Sequence, residues 1–539
     1  MKIFICIFFI LSLMSCAAEK ESNNNNKGNL EIPKQKYDFD LVSFDVSNET
    51  KILCDSGIKK FSQGHFSSTQ NELKKIFNNL NKEKKETCAD NIADNFLLNL
   101  NNNNIKKTNR LSLEDVDFET LVVGAGLHSS IIARNTYKKV LIIDEEEKPA
   151  NHFHSYAFRL NSPSYPYDIN YFPNNAISIL KHAEIGKNGQ NIYPKSRQIW
   201  NQIIFNLFNS NILLLTKTKI DKIKKHKDLF IVNLKKDNET ITILVKNIIL
   251  TTGLGEEILP KTDNNEWLNN QRTFLKNSDQ KNLSSLPSVM TYEELFSLSY
   301  EMAKNGKSIF DFLKNKDIGV VGAGDSGKVA VEFLTGYAPQ EAYFVEGVNS
   351  FEPIKSILWF GQKYDSFEEF SQPSSNTKKR YIYDGFKNIF QGVSYNKGNF
   401  KFENYHEHVE KINFNNNKVE VVSLKNKKEV DILIVAIGYE NNNEQFMKNT
   451  FLNLKDKDFS FNYIKKEVPA KRHFDTTIEN IAEQLCLTNN DCFNIYALAT
   501  AVKNIQITNQ RIKKSITKNT HSIEILSVLT ETFTKLFLN

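Results

Sequence analysis

Two short glycine-rich stretches have the residue spacing that binds the phosphates of a dinucleotide. They share the pattern GxGxxG, with serine in the third place of the first stretch: Gly124, Gly126 and Ser129 in LVVGAGLHSS, and Gly322, Gly324 and Gly327 in GVVGAGDSGK. In this pattern the first glycine permits a tight turn, the second lets the backbone approach a pyrophosphate, and the third allows close packing of the following helix. The sequence therefore predicts two pyrophosphate-binding turns.

A carboxylate follows each turn where the ribose of the nucleotide would lie. Asp144 ends the apolar run VLIID after the first turn, and Glu346 ends EAYFVE after the second. An acid at this place accepts hydrogen bonds from the ribose hydroxyls. Glu346 would also repel a 2′-phosphate, so we expect the second turn to favour NADH over NADPH.

The second turn also nearly spells an ATP-binding phosphate loop, because Gly322 to Lys328 fits GxxxxGK. A phosphate loop has a serine or threonine directly after the lysine, and its hydroxyl binds magnesium. This chain has Val329 at that place. A dinucleotide is therefore favoured over a nucleoside triphosphate.

The elements around each turn are those that would position it. Residues 118–144 predict strand, turn, helix and strand, and the second turn predicts the same order. Between the two units, residues 229–255 predict strands that end in TTGLG, which contains Gly253, and EVDILIVAIGY predicts a further strand that ends before Gly438. The pattern predicts an α/β protein with two Rossmann-like domains.

This order of motifs resembles the two-dinucleotide-binding flavoproteins, especially the flavin-containing monooxygenases and their glutathione-reductase-like relatives. The resemblance runs from about residue 118 to the C-terminus. It implies FAD on the first turn, NADH or NADPH on the second, and an NAD(P)-binding domain inserted into the FAD-binding domain. TTG at Thr251–Gly253 and AIGY at Ala436–Tyr439 resemble the crossings between these domains. In CFNIYALATA the pair Ala499 and Thr500 stands where the family usually has Gly-Asp, so Thr500 would offer the flavin a hydroxyl instead of a carboxylate.

We expect the chain to divide into six parts. We expect a signal peptide at 1–15, a tether at 16–37, an N-terminal region of unknown role at 38–110, the first part of the FAD-binding domain at 111–255, the NAD(P)-binding domain with an insertion at 256–430, and the second part of the FAD-binding domain at 431–539.

The implied function is that of an FAD- and NAD(P)-dependent oxidoreductase. Hydride would pass from NAD(P)H to the flavin and on to oxygen or another acceptor, with oxygenation of a small nucleophilic substrate as one outcome. The monooxygenase fingerprint FxGxxxHxxx(W/Y/F) is not found ahead of the second turn, which weakens the monooxygenase assignment. The sequence also has no CxxC pair that could relay electrons to a disulfide, which disfavours a function like that of thioredoxin reductase. No residue is nominated as catalytic acid or base. The alternative is a membrane-anchored binding protein that keeps the fold without using its redox chemistry.

Other ligand classes have weaker signals. His152 and His154 lie two residues apart, as do His406 and His408. We interpret the first pair as part of a loop and the second as the surface face of a strand, and no Cys cluster accompanies either pair, so no metal is predicted. The formal net charge of +6 arises from 69 Lys and Arg against 63 Asp and Glu, without a focused basic patch. We therefore expect a small-molecule substrate and no nucleic acid partner.

The first residues resemble an export signal. A basic start at Lys2 is followed by the apolar run IFICIFFILSLM, which is too short to span a bilayer. LMSC, which ends at Cys16, resembles the lipobox of bacterial lipoproteins. That resemblance implies an acylated Cys16 and an exported lipoprotein that is anchored to the membrane on its non-cytoplasmic side. An ordinary cleaved signal with a chance cysteine is the alternative.

Four further cysteines would remain in such a mature chain. An even number in an exported protein permits two disulfides. The local pairings, Cys54 with Cys88 and Cys486 with Cys492, are favoured, and four unpaired thiols stay open as the alternative.

Overall fold

The computed structural model describes much of the chain from residue 32 onward. The described ranges are 32–39, 43–44, 61–62, 82–101, 105–112, 115–155, 184–185, 191–192, 196–207, 211–253, 255–277, 285–322, 324–335, 354–361, 401–405, 407–415, 417–440, 442–454, 457–469, 476–488, 491–498, 505–509, 514–518 and 523–539.

The helices within these ranges are α1 (Lys82–Asn101), α2 (Leu127–Asn135), α3 (Asn151–Ser155), α4 (Ser196–Leu207), α5 (Asn265–Asn277), α6 (Tyr292–Lys304), α7 (Phe310–Leu313), α8 (Asp325–Thr335), α9 (Asn443–Thr450) and α10 (Ile523–Phe537). A single 3-10 turn follows α9 at Leu452–Leu454. No helix of the described ranges has both the length and the apolar character needed to cross a membrane.

The strands up to the first crossing are β1 (Gln35–Phe39), β2 (Ser43–Phe44), β3 (Phe61–Ser62), β4 (Ile105–Asn109), β5 (Phe118–Val123), β6 (Val140–Ile143), β7 (Glu184–Ile185), β8 (Asn191–Ile192), β9 (Ile212–Leu215), β10 (Thr218–His226), β11 (Leu229–Lys236) and β12 (Glu239–Leu250). The middle of the chain forms β13 (Glu256–Glu257), β14 (Lys261–Thr262), β15 (Val289–Thr291), β16 (Asp317–Val321), β17 (Ser356–Phe360), β18 (Lys401–Tyr405), β19 (Val409–Asn415), β20 (Lys418–Ser423), β21 (Lys427–Val430), β22 (Ile432–Val435) and β23 (Tyr439–Glu440). The last strands are β24 (Phe459–Pro469), β25 (Thr476–Leu487), β26 (Cys492–Ala497), β27 (Ile505–Asn509) and β28 (Lys514–Lys518).

The first large sheet contains a parallel core in the order β9-β6-β5-β12-β26. Strands β6 and β9 are uniformly apolar, and β5 and β12 are apolar where residues 121–123 pair with 248–250, as expected for parallel strands that are covered on both faces. The antiparallel strands β10 and β11 extend from β12 and pack their apolar side chains on one face, together with Met447 of α9 and Phe451. Helix α2 packs against α4 and α10.

The second large sheet is parallel throughout, in the order β15-β22-β16-β17-β18. One face packs on the small sheet β14-β19-β20-β21 and on α5, through side chains such as Trp267, Val421 and Leu433. Aromatic rings of α6, α7 and α8 contact one another, namely Phe296, Phe310 and Phe333. Helix α6 begins at a capping box, in which Thr291 and Glu294 satisfy each other's backbone amides.

The second sheet lies in the chain between β12 and β26, which are adjacent strands of the first sheet. The structure therefore confirms the α/β fold with one Rossmann-like domain inserted into another. The two connections to the insert, β13 and β23, pair antiparallel with each other.

Two of the expected boundaries differ from the structure. β22 was expected to open the second part of the first domain at residue 431, but it pairs with β15 and β16 in the second sheet. β1 begins at Gln35, inside the expected tether, and pairs with β4. Both differences have one physical cause, because an apolar or alternating segment does not itself specify which partner strand it will pair with.

The N-terminal region is attached to the first domain through polar contacts, of which those of Asp117 are buried. The Asp117 side chain is fully buried and accepts hydrogen bonds from the backbone amides of Tyr37 and Leu244. Arg110 forms an ion pair with Asp117 at 2.6 Å. On the other side, Arg197 of α4 contacts Asp90 and Asp94 of α1.

Candidate dinucleotide sites

The first glycine turn begins where β5 ends. Gly124 has φ +98°, and a Cβ there would lie 2.5 Å from the carbonyl oxygen of Thr251. No side chain fits that space, so glycine is required by the fold. Gly126 is the N-cap of α2, and a Cβ there would meet no heavy atom of the described part of the chain within 4 Å. The open space beside Gly126 is where a pyrophosphate would approach the backbone and the N-terminus of α2.

The third position of the first turn holds a side chain that faces inward. Ser129 is fully buried, and its hydroxyl donates a hydrogen bond of 2.7 Å to the carbonyl oxygen of Gly126. A small polar residue therefore replaces glycine here with its hydroxyl satisfied.

Asp144 follows β6 and reaches back to the turn. Its carboxylate accepts a 2.6 Å hydrogen bond from the backbone amide of Ala125 and a 2.8 Å bond from that of Glu146. Burial raises the pKa of Asp144, while these two backbone bonds oppose the shift. The acid thus lies directly beside Gly124 and Gly126, as the sequence pattern predicts for a residue that binds a ribose.

The first crossing, Thr251–Gly253, is hydrogen-bonded to the first glycine turn. Thr251 donates from its amide to Val123 and from its hydroxyl to the carbonyl oxygen of Gly124, both at 2.8 Å. Gly253 has φ +78° and open space at its Cβ position. The segment TTG therefore supports the first turn, and Gly253 supplies a backbone conformation that other residues rarely adopt.

The second turn repeats this construction. Gly322 has φ +128°, and a Cβ there would lie 2.1 Å from the carbonyl oxygen of Ala436, while Gly324 faces open space. A Cβ on Gly327 would lie 2.1 Å from the carbonyl oxygen of Gly322, so close packing of α8 requires the third glycine. Trp359 donates its indole N–H to the same carbonyl oxygen at 2.8 Å.

The second crossing contacts helix α6 of the insert through a cluster of acids. Gly438 has φ +111°, and Tyr439 next to it donates its hydroxyl to Glu293 of α6 at 2.7 Å. Glu257 of β13 accepts a hydrogen bond from the Glu293 amide at 3.4 Å. Burial, followed by the charge of Glu293, raises the pKa of Glu257 to about 7. We name Glu257, Glu293 and Tyr439 the crossing cluster.

His128, next to the first turn, is buried between two helices. His128 lies in the first turn of α2, buried, with Nδ1 2.9 Å from the Thr530 hydroxyl of α10. Burial lowers its pKa to about 3, so the imidazole is neutral at physiological pH. Its position in the interface between α2 and α10 assigns it to packing.

Three of the predicted residues lie outside the described ranges, namely Cys16, Glu346 and Thr500. EAYFVE also lies outside the described ranges, so the role given to Glu346 stays a prediction. The two neighbours of β16 are β17 and β22. Of the two apolar runs after α8, SILWF is the one that the structure describes, as β17 beside β16.

The disulfide prediction is confirmed for one pair and open for the other. Cys486 and Cys492 are bonded across the β25–β26 hairpin. Cys88 is buried and disulfide-bonded. Its predicted partner, Cys54, lies outside the described ranges.

Two features of the site were missed by the sequence analysis. The crossing cluster joins residues that are distant in the chain, and no motif marks them. The residue that follows β17, Gly361, was missed because the strand before it was not identified. A strand of five apolar residues directly followed by glycine, SILWFG, was the available signal.

Comparisons with known proteins give similarities only at the level of structure. No protein-family model and no curated protein matches the chain. The ornithine N-hydroxylase of Kutzneria sp. 744, solved with reduced FAD, NADP+ and L-ornithine, is similar with a TM-score of 0.45 and 13% identity, over 78% of this chain and 99% of its own. Bacillithiol disulfide reductase from Staphylococcus aureus has a TM-score of 0.41 and 12% identity, over 78% and 98% of the two chains. Thioredoxin reductase from Lactococcus lactis has a TM-score of 0.41 and 13% identity, over 78% and 99%.

Proposed function

We propose that this protein is an oxidoreductase that binds FAD at the first turn and a reduced nicotinamide dinucleotide at the second. The observation that carries the proposal is the repeated construction of the two glycine turns. We call each turn, with the start of the helix that follows it and the end of the neighbouring strand, a cradle. In each domain the first glycine is required by the fold, whereas Gly126 and Gly324 leave open space at the start of a helix. Two such cradles in one chain match a pair of dinucleotides that exchange a hydride.

The residues of the first cradle fit FAD. The open space at Gly126 and the N-terminus of α2 would receive the pyrophosphate, and Asp144 would receive the hydroxyls of the adenosine ribose. The bound flavin would accept hydride from the nicotinamide and pass electrons to the next acceptor. The protein would supply alignment, since the two turns stand at the carboxyl ends of parallel strands, where such folds bind their ligands.

The proposed electron acceptor is oxygen or a small molecule. The Cys486–Cys492 disulfide lies at the amino end of β26, opposite the end beside Leu250 and the first turn. Five residue steps along the strand separate Cys492 from Ala497, roughly 16 Å. We therefore assign that disulfide to stabilising the hairpin.

Oxygenation of a small nucleophilic substrate is the finer form of this proposal. The ornithine N-hydroxylase named above and a cadaverine monooxygenase from Erwinia amylovora are structural neighbours that act on such substrates by name. Amines are therefore the first substrates to test.

Anchoring of the protein outside the cytoplasm through Cys16 belongs to the same proposal. Support comes from LMSC and from the disulfide bonds at Cys88 and between Cys486 and Cys492, because stable disulfides form in oxidising compartments.

The deciding experiment is absorbance spectroscopy of the purified full-length protein. We expect a bound yellow flavin that bleaches when NADH or NADPH is added without oxygen, and that returns to its oxidised spectrum when air is admitted. A colourless protein that takes up no added FAD would overturn the proposal and favour a binding protein on the same fold. A bound flavin that stays oxidised with both nucleotides would remove the hydride transfer.

A further inference from the structure

The two domains correspond residue by residue at the edge of each cradle. The amide of Gly124 donates to Ile143, the last residue of β6, at 2.8 Å, and the amide of Gly322 donates to Phe360, the last residue of β17, at 2.9 Å. Ile143 and Phe360 are therefore equivalent. The residues that follow them, Asp144 and Gly361, hold the same position in the two domains.

A second set of hydrogen bonds confirms this register. The amide of Asp144 donates to Leu215, the last residue of β9, at 3.0 Å. The amide of Gly361 donates to Tyr405, the last residue of β18, at 2.9 Å. Asp144 thus links the carboxyl ends of β6 and β9, and Gly361 links the carboxyl ends of β17 and β18 in the same way.

The two cradles differ chemically at this equivalent position, because one has a carboxylate there and the other has no side chain. In the first, the Asp144 carboxylate reaches the turn and contacts the amide of Ala125. In the second, glycine at this position supplies no side chain that could bind ribose hydroxyls or repel a negative group. Gln362 and Lys363 follow it in the sequence and carry no negative charge. A 2′-phosphate on the ribose meets no fixed carboxylate at this position.

We propose that Gly361 sets the nucleotide specificity of the second domain and admits a 2′-phosphorylated dinucleotide, so that NADPH is used at least as well as NADH. This inference rests on the proposed function, because it assumes that a nicotinamide dinucleotide occupies the second cradle. It reverses the preference expected from Glu346.

The experiment measures binding separately from hydride transfer. NADP+, NAD+, 2′,5′-ADP and 5′-AMP are titrated into the full-length protein by calorimetry. We expect NADP+ to bind at least as tightly as NAD+, and 2′,5′-ADP at least as tightly as 5′-AMP. Tighter binding of NAD+ and 5′-AMP would overturn the inference while the proposed function stands. Binding of neither dinucleotide would overturn the function itself.

Two variants assign the effect to the residue. Gly361→Asp restores the carboxylate of the first cradle and should weaken NADP+ binding by roughly tenfold or more, because like charges a few Å apart repel, with little change for NAD+. Gly361→Ala is the matched control for side-chain volume and should keep the wild-type order. Equal losses in both variants, or for both dinucleotides, would contradict the role of charge. If Gly361→Asp does not fold, the wild-type comparison alone decides the inference.

Discussion

At the scale of single residues, the glycines of each turn have separate roles. A Cβ at Gly124 or Gly322 would collide with a backbone carbonyl oxygen, whereas a Cβ at Gly126 or Gly324 would meet no heavy atom of the described residues within 4 Å. The first pair therefore maintains the fold, and the second pair leaves room for a ligand. Substitutions at Gly126 and Gly324 can consequently remove binding without unfolding the chain.

Gly126→Val and Gly324→Val form a matched pair of tests. We expect Gly126→Val to abolish flavin binding, because its branched side chain would fill the space of the pyrophosphate. Gly324→Val should keep the flavin but lose its reduction by NADPH or NADH. The measurements are the flavin content of the purified variants and anaerobic stopped-flow absorbance. Full flavin occupancy in Gly126→Val would show that the first turn is structural only.

The sequence predicts the first cradle better than the second for a local reason. Asp144 directly follows VLII, and no competing apolar run separates this strand from α2. After α8 there are two such runs, EAYFVE and SILWF, and the choice between them is made by pairing with β16. Pairing depends on the whole sheet, so the position of Gly361 could not be obtained from local pattern.

At the scale of elements, the crossing cluster holds the connections of the inserted domain to α6. Glu257 lies on one connection and Tyr439 on the other, and Glu293 contacts both. Glu294 adds to the negative charge around Glu257. The contacts between the two connections and α6 are thus most stable when Glu257 is protonated, because its negative charge would be repelled by Glu293 and Glu294.

Glu257 predicts a pH dependence of stability. Its pKa is raised from an ordinary 4.5 to about 7, so the folded state favours the protonated form. The contribution of protonated Glu257 to the free energy of unfolding is therefore complete below about pH 4.5 and is lost as the pH rises through 7. Glu257→Gln, which mimics the protonated form, should be more stable than wild type at pH 8, by roughly 1–2 kcal/mol, with a much smaller difference at pH 5. Thermal unfolding at both pH values measures this. Glu440→Gln, on the exposed side chain beside Tyr439, is the control and should show no such pattern.

The ion pair between Arg110 and Asp117 makes a prediction for the N-terminal region. The exposed fractions of these two side chains are 4% and 0%, and burial raises the pKa of Asp117 even with Arg110 beside it. Arg110→Ala leaves an uncompensated buried carboxylate and should lower the free energy of unfolding by about 3 kcal/mol. Adding Asp117→Asn should recover part of the loss. Urea denaturation measures both.

The control for this prediction is an exposed ion pair on the same sheet. Lys246 lies 3.0 Å from Glu119, with 45% and 31% of the two side chains exposed. Lys246→Ala should change the free energy of unfolding by less than about 1 kcal/mol. Equal effects of Arg110→Ala and Lys246→Ala would contradict a special role for the buried pair.

At the scale of the whole molecule, the two-domain plan follows from the order of motifs, whereas its boundaries do not. Two glycine turns with a crossing segment after each suffice to predict an insertion. The last strand of the insert, ILIV of β22, has the same uniformly apolar character as strands of the first sheet. Its membership is set by hydrogen bonds to β15 and β16, which a single sequence does not display.

The placement of the molecule in the cell yields a further prediction. Replacing Cys16 by Ala should release the protein from the membrane fraction, because acyl chains on that residue would supply its attachment. Fractionation of cells followed by mass spectrometry of the mature N-terminus measures the change. Cys88→Ala, processed with the same signal, should remain in the membrane fraction. Unchanged membrane association of Cys16→Ala, together with an unlipidated N-terminus on the wild-type protein, would contradict the assignment.

The pairing of β13 with β23 has a consequence for how the chain reaches its native state. Residues 251–491 separate the adjacent strands β12 and β26, so the first sheet cannot be completed until the insert has been synthesised. Closing so long a loop from an unfolded chain carries a large entropy cost. Once the insert has folded, its two connections already lie side by side. The long loop is then reduced to the segment after β23, which contains α9, β24 and β25. The inserted domain thereby acts as an internal template, and its folding brings together the two halves of the domain that surrounds it.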